Sequence, residues 1–226
     1  MPKPPRVLGF RLAYFACLCA FVLVALCPAV SAHAETASSF AARVDHHYNA
    51  LRSLRVSFVQ QYDGMGQHRR ESGVLLLKKP GKMRWTYAQP AGKLFVLDGR
   101  EAYFYSPGQT EVQRVPASKL DDLRSPLRFL LGHADLAKEL TGLALTRDGE
   151  NYQLSGVPKN MERRVASLRF TVSTEGTILG IQAEEVDGSV SSFTFAGEVP
   201  NPPAADADFV FRAPQGTEIV DGLPPA

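Results

Sequence analysis

The chain has 226 residues, a formal charge of +2 and three cysteines, Cys17, Cys19 and Cys27, all within its first 34 residues. Charge of both signs is spread along it, with no concentrated basic footprint of the kind nucleic-acid binding requires. Beyond residue 34 there is no thiol for a disulfide or a Cys-ligated metal, and no second apolar run long enough to span a bilayer.

Lys3, Arg6 and Arg11 precede an apolar run from about Leu12 to Val30, followed by Ala32-His33-Ala34. This order of basic, apolar and small-residue segments predicts a cleaved secretory signal peptide over 1–34 and one domain over 35–226. An uncleaved anchor is the alternative, which the small residues at −1 and −3 disfavour. Leu18 and Leu26 precede Cys19 and Cys27, so lipid modification is not expected. Removing the leader takes the charge to −1.

Ser38 and Ser39 predict a helix start, with Phe40, Val44, Tyr48 (or His47), Leu51 and Leu54 forming an apolar stripe at helical spacing. From Arg55 the period becomes two, with Val56, Phe58, Gln60 and Tyr62 on one face. Gly64-Met65-Gly66 turns the chain. The next hairpin pivots on Lys79-Pro80-Gly81-Lys82, a strong turn signal. Alternation places Leu75, Leu77, Met83, Trp85 and Tyr87 together on one face, with Arg84 and Thr86 opposite. The only Trp of the chain therefore stands on a sheet face that something must cover.

Leu94 to Leu97 and Ala102 to Tyr105 flank Asp98-Gly99, another hairpin signal. Ser125, Pro126 and Gly132 bound a two-turn apolar helix containing Leu127, Leu130 and Leu131, too short to be stable alone. Asp135 to Leu140 adds a possible turn. Strands resume at Leu143–Arg147, Tyr152–Val157, Val165–Ser173, Ile178–Val186 and Val190–Ala196, and Phe209–Arg212 reads as a short final strand. About ten or eleven strands interrupted once by helices predict a mostly-β, α+β fold.

Catalytic chemistry has little support. His46 and His47 are adjacent on a helix and point about 100° apart, unlike an i, i+4 ligand pair. His68 and His133 are isolated. Asp121-Asp122 reads as a solvated pair near a helix start. No nucleophile elbow, P-loop or dinucleotide fingerprint occurs. No enzyme activity, metal or cofactor is expected.

The order of Gly73-x-Leu75, Lys79-Pro80, Met83-x-Trp85, Pro90, Asp98-Gly99, Tyr105-x-Pro107, Ser125-Pro126…Leu130-Leu131-Gly132 and Phe209-x-Phe211-x-x-Pro214-x-Gly216 resembles the periplasmic outer-membrane lipoprotein carrier proteins (LolA). The resemblance covers essentially all of 35–226. It implies an unclosed antiparallel β-barrel with short helices forming a lid over an apolar cavity. It also implies a monomeric periplasmic carrier that takes acylated lipoproteins from an inner-membrane ABC lipoprotein-releasing complex to an outer-membrane acceptor, without stable membrane insertion.

On that basis Leu75, Leu77, Met83, Trp85, Phe95 and Leu97 are the expected cavity lining, and Phe40, Val44, Leu51, Leu127, Leu130 and Leu131 the expected lid. The family often has an aromatic where Met83 stands, and places an Arg, which ties the lid shut, where this chain has Lys79. A Lys latch is a point donor and less oriented than an Arg fork; Arg84 is the alternative latch. From the residues alone, the same apolar face suits the core of a closed sandwich. The short apolar helix between breakers, and the few helices available to fill a curved sheet, favour a covered hollow. A periplasmic lipid-binding sensor domain, or a carrier of another amphiphile, are the rival readings of the scaffold.

Overall fold

The computed structural model of the chain describes residues 1–2, 35–122 and 135–222. The first helix, α1 (Ala37–Asn49), starts one or two residues before the Ser38–Ser39 start that the sequence suggests. Thr36 is its N-cap and forms a reciprocal pair with Ser39: Ser39 N donates to Thr36 Oγ1 at 3.1 Å and Thr36 N to Ser39 Oγ at 3.1 Å. The helix also stops earlier. Ala50 caps it, and the amides of Arg52 and Ser53 bond the Asn201 side chain. The chain is thereby drawn into the sheet. Leu51 and Leu54 are buried as expected, but from the connector and from the first strand rather than from helix.

Among the described residues twelve strands follow: β1 (Ser53–Gly64), β2 (Gln67–Lys78), β3 (Lys82–Gln89), β4 (Leu94–Leu97), β5 (Glu101–Tyr105), β6 (Glu111–Pro116), β7 (Leu140–Asp148), β8 (Asn151–Pro158), β9 (Val165–Val172), β10 (Ile178–Glu185), β11 (Val190–Pro200) and β12 (Glu218–Asp221). A 3-10 turn (Ala117–Asp122) follows β6, and the one-turn helix α2 (Leu136–Glu139), N-capped by Asp135, leads into β7. The strands make one sheet in the order β12-β6-β5-β4-β3-β2-β1-β11-β10-β9-β8-β7. Among the described residues β7 and β12 are its two free edges, so the sheet is unclosed. Neighbours are antiparallel except β12, which runs parallel to β6.

Alternation gives the sheet an inner face, whose side chains form one apolar cluster with α1. That face is concave. Trp85 on β3 and Phe193 on β11 lie three strand spacings of about 4.8 Å apart, yet their ring centroids are 5.7 Å apart. Gly73 serves this cluster by having no side chain. A Cβ there would meet the Thr86 carbonyl oxygen at 2.2 Å and Phe58 Cε1 at 3.0 Å, so its absence lets Phe58 and Tyr87 meet edge to face at 5.2 Å.

The outer face carries a second small core that the sequence reading lacks. Phe209–Arg212 is not a strand: Asp206–Phe209 is a 3-10 turn, its Ala205 amide held by the Asp208 carboxylate at 2.8 Å. Phe209 is buried there, as are Val96 and Val112 on the outer face, and Phe211 stacks on Tyr103 at 4.9 Å. The C-terminal segment thus packs across the back of β3–β5 before pairing with β6.

Candidate functional site

The β2–β3 hairpin and β4 bring the six expected cavity residues into two adjoining rows. Leu75, Trp85 and Phe95 are register partners across the three strands, as are Leu77, Met83 and Leu97. Five of the six are 5% exposed or less; Phe95 is half-buried against Phe104, with centroids 4.7 Å apart. The Trp85 indole N–H donates to the Met83 sulfur at 2.7 Å, so its polar edge is satisfied inside hydrocarbon surroundings. Phe58, Tyr87 and Phe193 complete an aromatic wall around it.

On the same inner face α1 packs against β7 and α2, and its apolar side chains join the cluster that includes Trp85. Phe40 and Val44 are buried beneath the helix, Phe40 against Tyr152 with centroids 4.6 Å apart. Polar ties hold the helix to the β9–β11 half of the sheet. Arg43 donates to the Thr174 carbonyl at 2.8 Å. The Tyr48 hydroxyl donates to Glu198 at 3.0 Å and accepts the Ile178 amide at 2.9 Å, while His47 meets the same carboxylate at 2.6 Å. Burial, then the Glu198 charge, push the Tyr48 phenol far above its ordinary range. Asp45 accepts the Leu136 amide and so ties in α2.

Lys79 reaches the same helix from the β2–β3 turn, its ammonium donating to the Tyr48 carbonyl at 2.7 Å. That carbonyl belongs to the last turn of α1, where it also accepts the Leu51 amide at 3.2 Å and where the helix dipole favours a cation. Partial burial lowers the Lys79 pKa. Arg84 does not share this position. It lies on the outer face and donates to the Asp208 carbonyl at 3.2 Å, holding the C-terminal segment rather than α1. Of the remaining lid candidates, Leu127, Leu130 and Leu131 lie outside the described residues.

The sequence reading missed Glu198 and the polar end of the inner face. Glu198 carries no local signal, because its partners are some 150 positions away. The polar end was legible by extending the odd-numbered inward parity of β2 from Leu77 and Leu75 back to Glu71 and Arg69.

No group of three His, Cys, Asp or Glu among the described residues is placed to hold a metal ion. No described helix is long and apolar enough to cross a membrane.

The family described as Outer membrane lipoprotein carrier protein LolA matches residues 49–212. The outer-membrane lipoprotein carrier protein of Aeromonas salmonicida is 29% identical over 163 residues, 71% of this chain and 77% of the relative. That of Sodalis glossinidius is 27% identical over 205 residues, 90% of this chain and 95% of the relative. Among solved structures, a LolA superfamily protein from Nitrosomonas europaea aligns with a TM-score of 0.43 at 14% identity, over 79% of this chain and 99% of that one.

Proposed function

The chain belongs to the outer membrane lipoprotein carrier protein LolA family, and from that premise we propose that it is a periplasmic carrier of acylated lipoproteins. It receives them from an inner-membrane ABC releasing complex, shields their acyl chains on the inner face of β2–β4, and passes them to an outer-membrane acceptor. The protein performs carriage rather than catalysis and needs no cofactor.

The observation that carries this reading is a concave hydrocarbon face, centred on Trp85, whose apolar cluster also takes in Phe40, Val44 and Tyr48 of α1, a helix that polar contacts tie to the sheet as well. Each buried CH₂ contributes about 0.8 kcal/mol, so one long acyl chain offers ~10 kcal/mol. Retention that strong would prevent delivery unless something competes. Phe40, Val44 and Tyr48 supply a competitor: reburial of each contributes roughly 1.5–3 kcal/mol, which together approaches the contribution of one chain. Loading and unloading then become an exchange between α1 and passenger, near balance and driven by the membrane partners.

The test uses a fluorescent triacylated lipopeptide with the purified protein. Expected is a soluble one-to-one complex on gel filtration, with a change in Trp85 emission. Leu75→Glu, which sets a carboxylate in the middle of the wall, is expected to abolish it. If the unaltered protein leaves the lipopeptide in aggregates, the carrier reading fails.

A further inference from the structure

The inner face is not apolar along its whole length. Passing along β1 and β2 from Leu54 and Leu77, the inward pairs are Val56 with Leu75, Phe58 with Gly73, Gln60 with Glu71, and Tyr62 with Arg69. Lys93, just before β4, joins the third of these pairs. Its ammonium donates to both Glu71 oxygens, at 2.7 and 2.6 Å, and stands 4.6 Å from the centre of the Tyr87 ring. The Arg69 guanidinium lies 4.7 Å from the centre of the Tyr62 ring. Burial, then the Glu71 charge, raise the Tyr87 pKa far above its ordinary range.

Glu71 and Lys93 are only 16% and 27% exposed. A pair so enclosed contributes little net stability, because desolvation offsets its attraction, and two apolar residues would extend the core without that cost. The opposite end of the same face is built differently. Leu54, Leu77, Met83 and Leu97 are all buried there, and the nearby Lys79 ammonium is engaged with the Tyr48 carbonyl. From Glu71 to Leu77 the strand covers about 20 Å. One bilayer leaflet gives its acyl chains about 15 Å of hydrocarbon depth, so the length suits one extended chain.

We propose that the Gln60–Glu71–Lys93 end seats the polar head of the passenger: the ester and amide carbonyls of its lipid-modified N-terminal cysteine. The chains run from Tyr87 past Trp85 toward Leu77, with their terminal methyls at the Lys79 end. This deepens the carrier reading and rests on it. Ester and amide carbonyls lose their water partners on entering a protein and need donors to replace them. Lys93 uses two of its three N–H groups on Glu71, which leaves one for a ligand carbonyl, and the Gln60 amide supplies others. Glu71 holds Lys93 in place and can accept the passenger's amide N–H. The face thus has a head end and a tail end, and a passenger enters it in one orientation.

The experiment uses a synthetic tripalmitoyl-S-glycerylcysteinyl peptide with a diazirine either on its second residue or at the far end of an acyl chain. Each probe is photolysed with the purified protein and the adducts are mapped by mass spectrometry. Expected are head adducts around Gln60, Glu71 and Lys93, and tail adducts around Leu54, Leu77 and Met83. The reverse pattern, or both probes at both ends, would overturn the orientation while leaving carriage intact. No adduct from either probe, with no response of Trp85 emission, would overturn carriage and orientation together. The double substitution Glu71→Gln with Lys93→Gln removes both charges without stranding either. It is expected to weaken lipopeptide binding about tenfold with little change in the thermal midpoint. Undiminished affinity would overturn the role given to the pair.

Discussion

Lys79→Met keeps the aliphatic stem and removes the ammonium from the Tyr48 carbonyl, a contact of 2.7 Å. A hydrogen bond from a charged donor contributes about 1.5–3 kcal/mol when well enclosed. Lys79 is only partly buried, so water competes for both partners and about 1 kcal/mol is a fairer figure. That corresponds to about a fivefold rise in the population with α1 released. Two measurements follow from it. Amide hydrogen exchange across Phe40–Asn49 is expected to quicken about fivefold, with β8–β10 unchanged. Lipopeptide affinity is expected to rise by a similar factor, because more of the protein is already binding-competent. Lys79→Arg, which keeps a cation at the helix end, is expected to return both values toward the original. Unchanged exchange in α1 together with lost lipopeptide binding would refute the latch, since Lys79 would then be touching the passenger. A uniform rise in exchange over all strands would refute it too, by showing only a loss of global stability.

Gly73→Ala forces a Cβ against the Thr86 carbonyl and the Phe58 ring. A cost of about 1–3 kcal/mol is expected, read as a fall of several degrees in the thermal midpoint; a shift below one degree would contradict the packing. Asp206, between Lys78 and Lys82 at 2.7 and 2.9 Å, has its pKa lowered from 3.8 to about 2, chiefly by the Lys78 hydrogen bond. A carboxylate with a depressed pKa contributes its stability fully above its ordinary value and loses it as the pH falls through the lowered one. The stability gap between the protein and Asp206→Asn should therefore be constant from pH 5 to 7 and close between pH 4 and 2. A gap independent of pH would mean the two lysines do not hold that carboxylate.

Much of the β2–β4 site could be read from local pattern. Once Lys79-Pro80-Gly81 is recognised as a turn, the hairpin has one register, and a period of two then decides which side chains share a face. Leu75, Trp85 and Phe95 follow directly. Helix limits were less legible, because a spacing of three or four continues by coincidence through Leu51 and Leu54. Only the competition of Asn201 for the Arg52 and Ser53 amides shows where helix yields to strand. Arg84 illustrates the same limit. Its position on the face opposite Trp85 was visible, yet its partner Asp208 arrives from 124 residues away.

From its order of residues alone, this chain determined its strand faces, its turns, its family resemblance and the apolar wall around its one tryptophan. These depend on neighbours in sequence, where steric preference and alternation act directly. Tertiary structure alone decided that Glu198 anchors α1, that Lys79 rather than Arg84 meets that helix, and that Lys93 pairs with Glu71 on the inner face. Such pairings arise from sheet curvature and from segments returning after long separations. Their energies are set by burial and distance in space, neither of which is written in the spacing of residues along the chain.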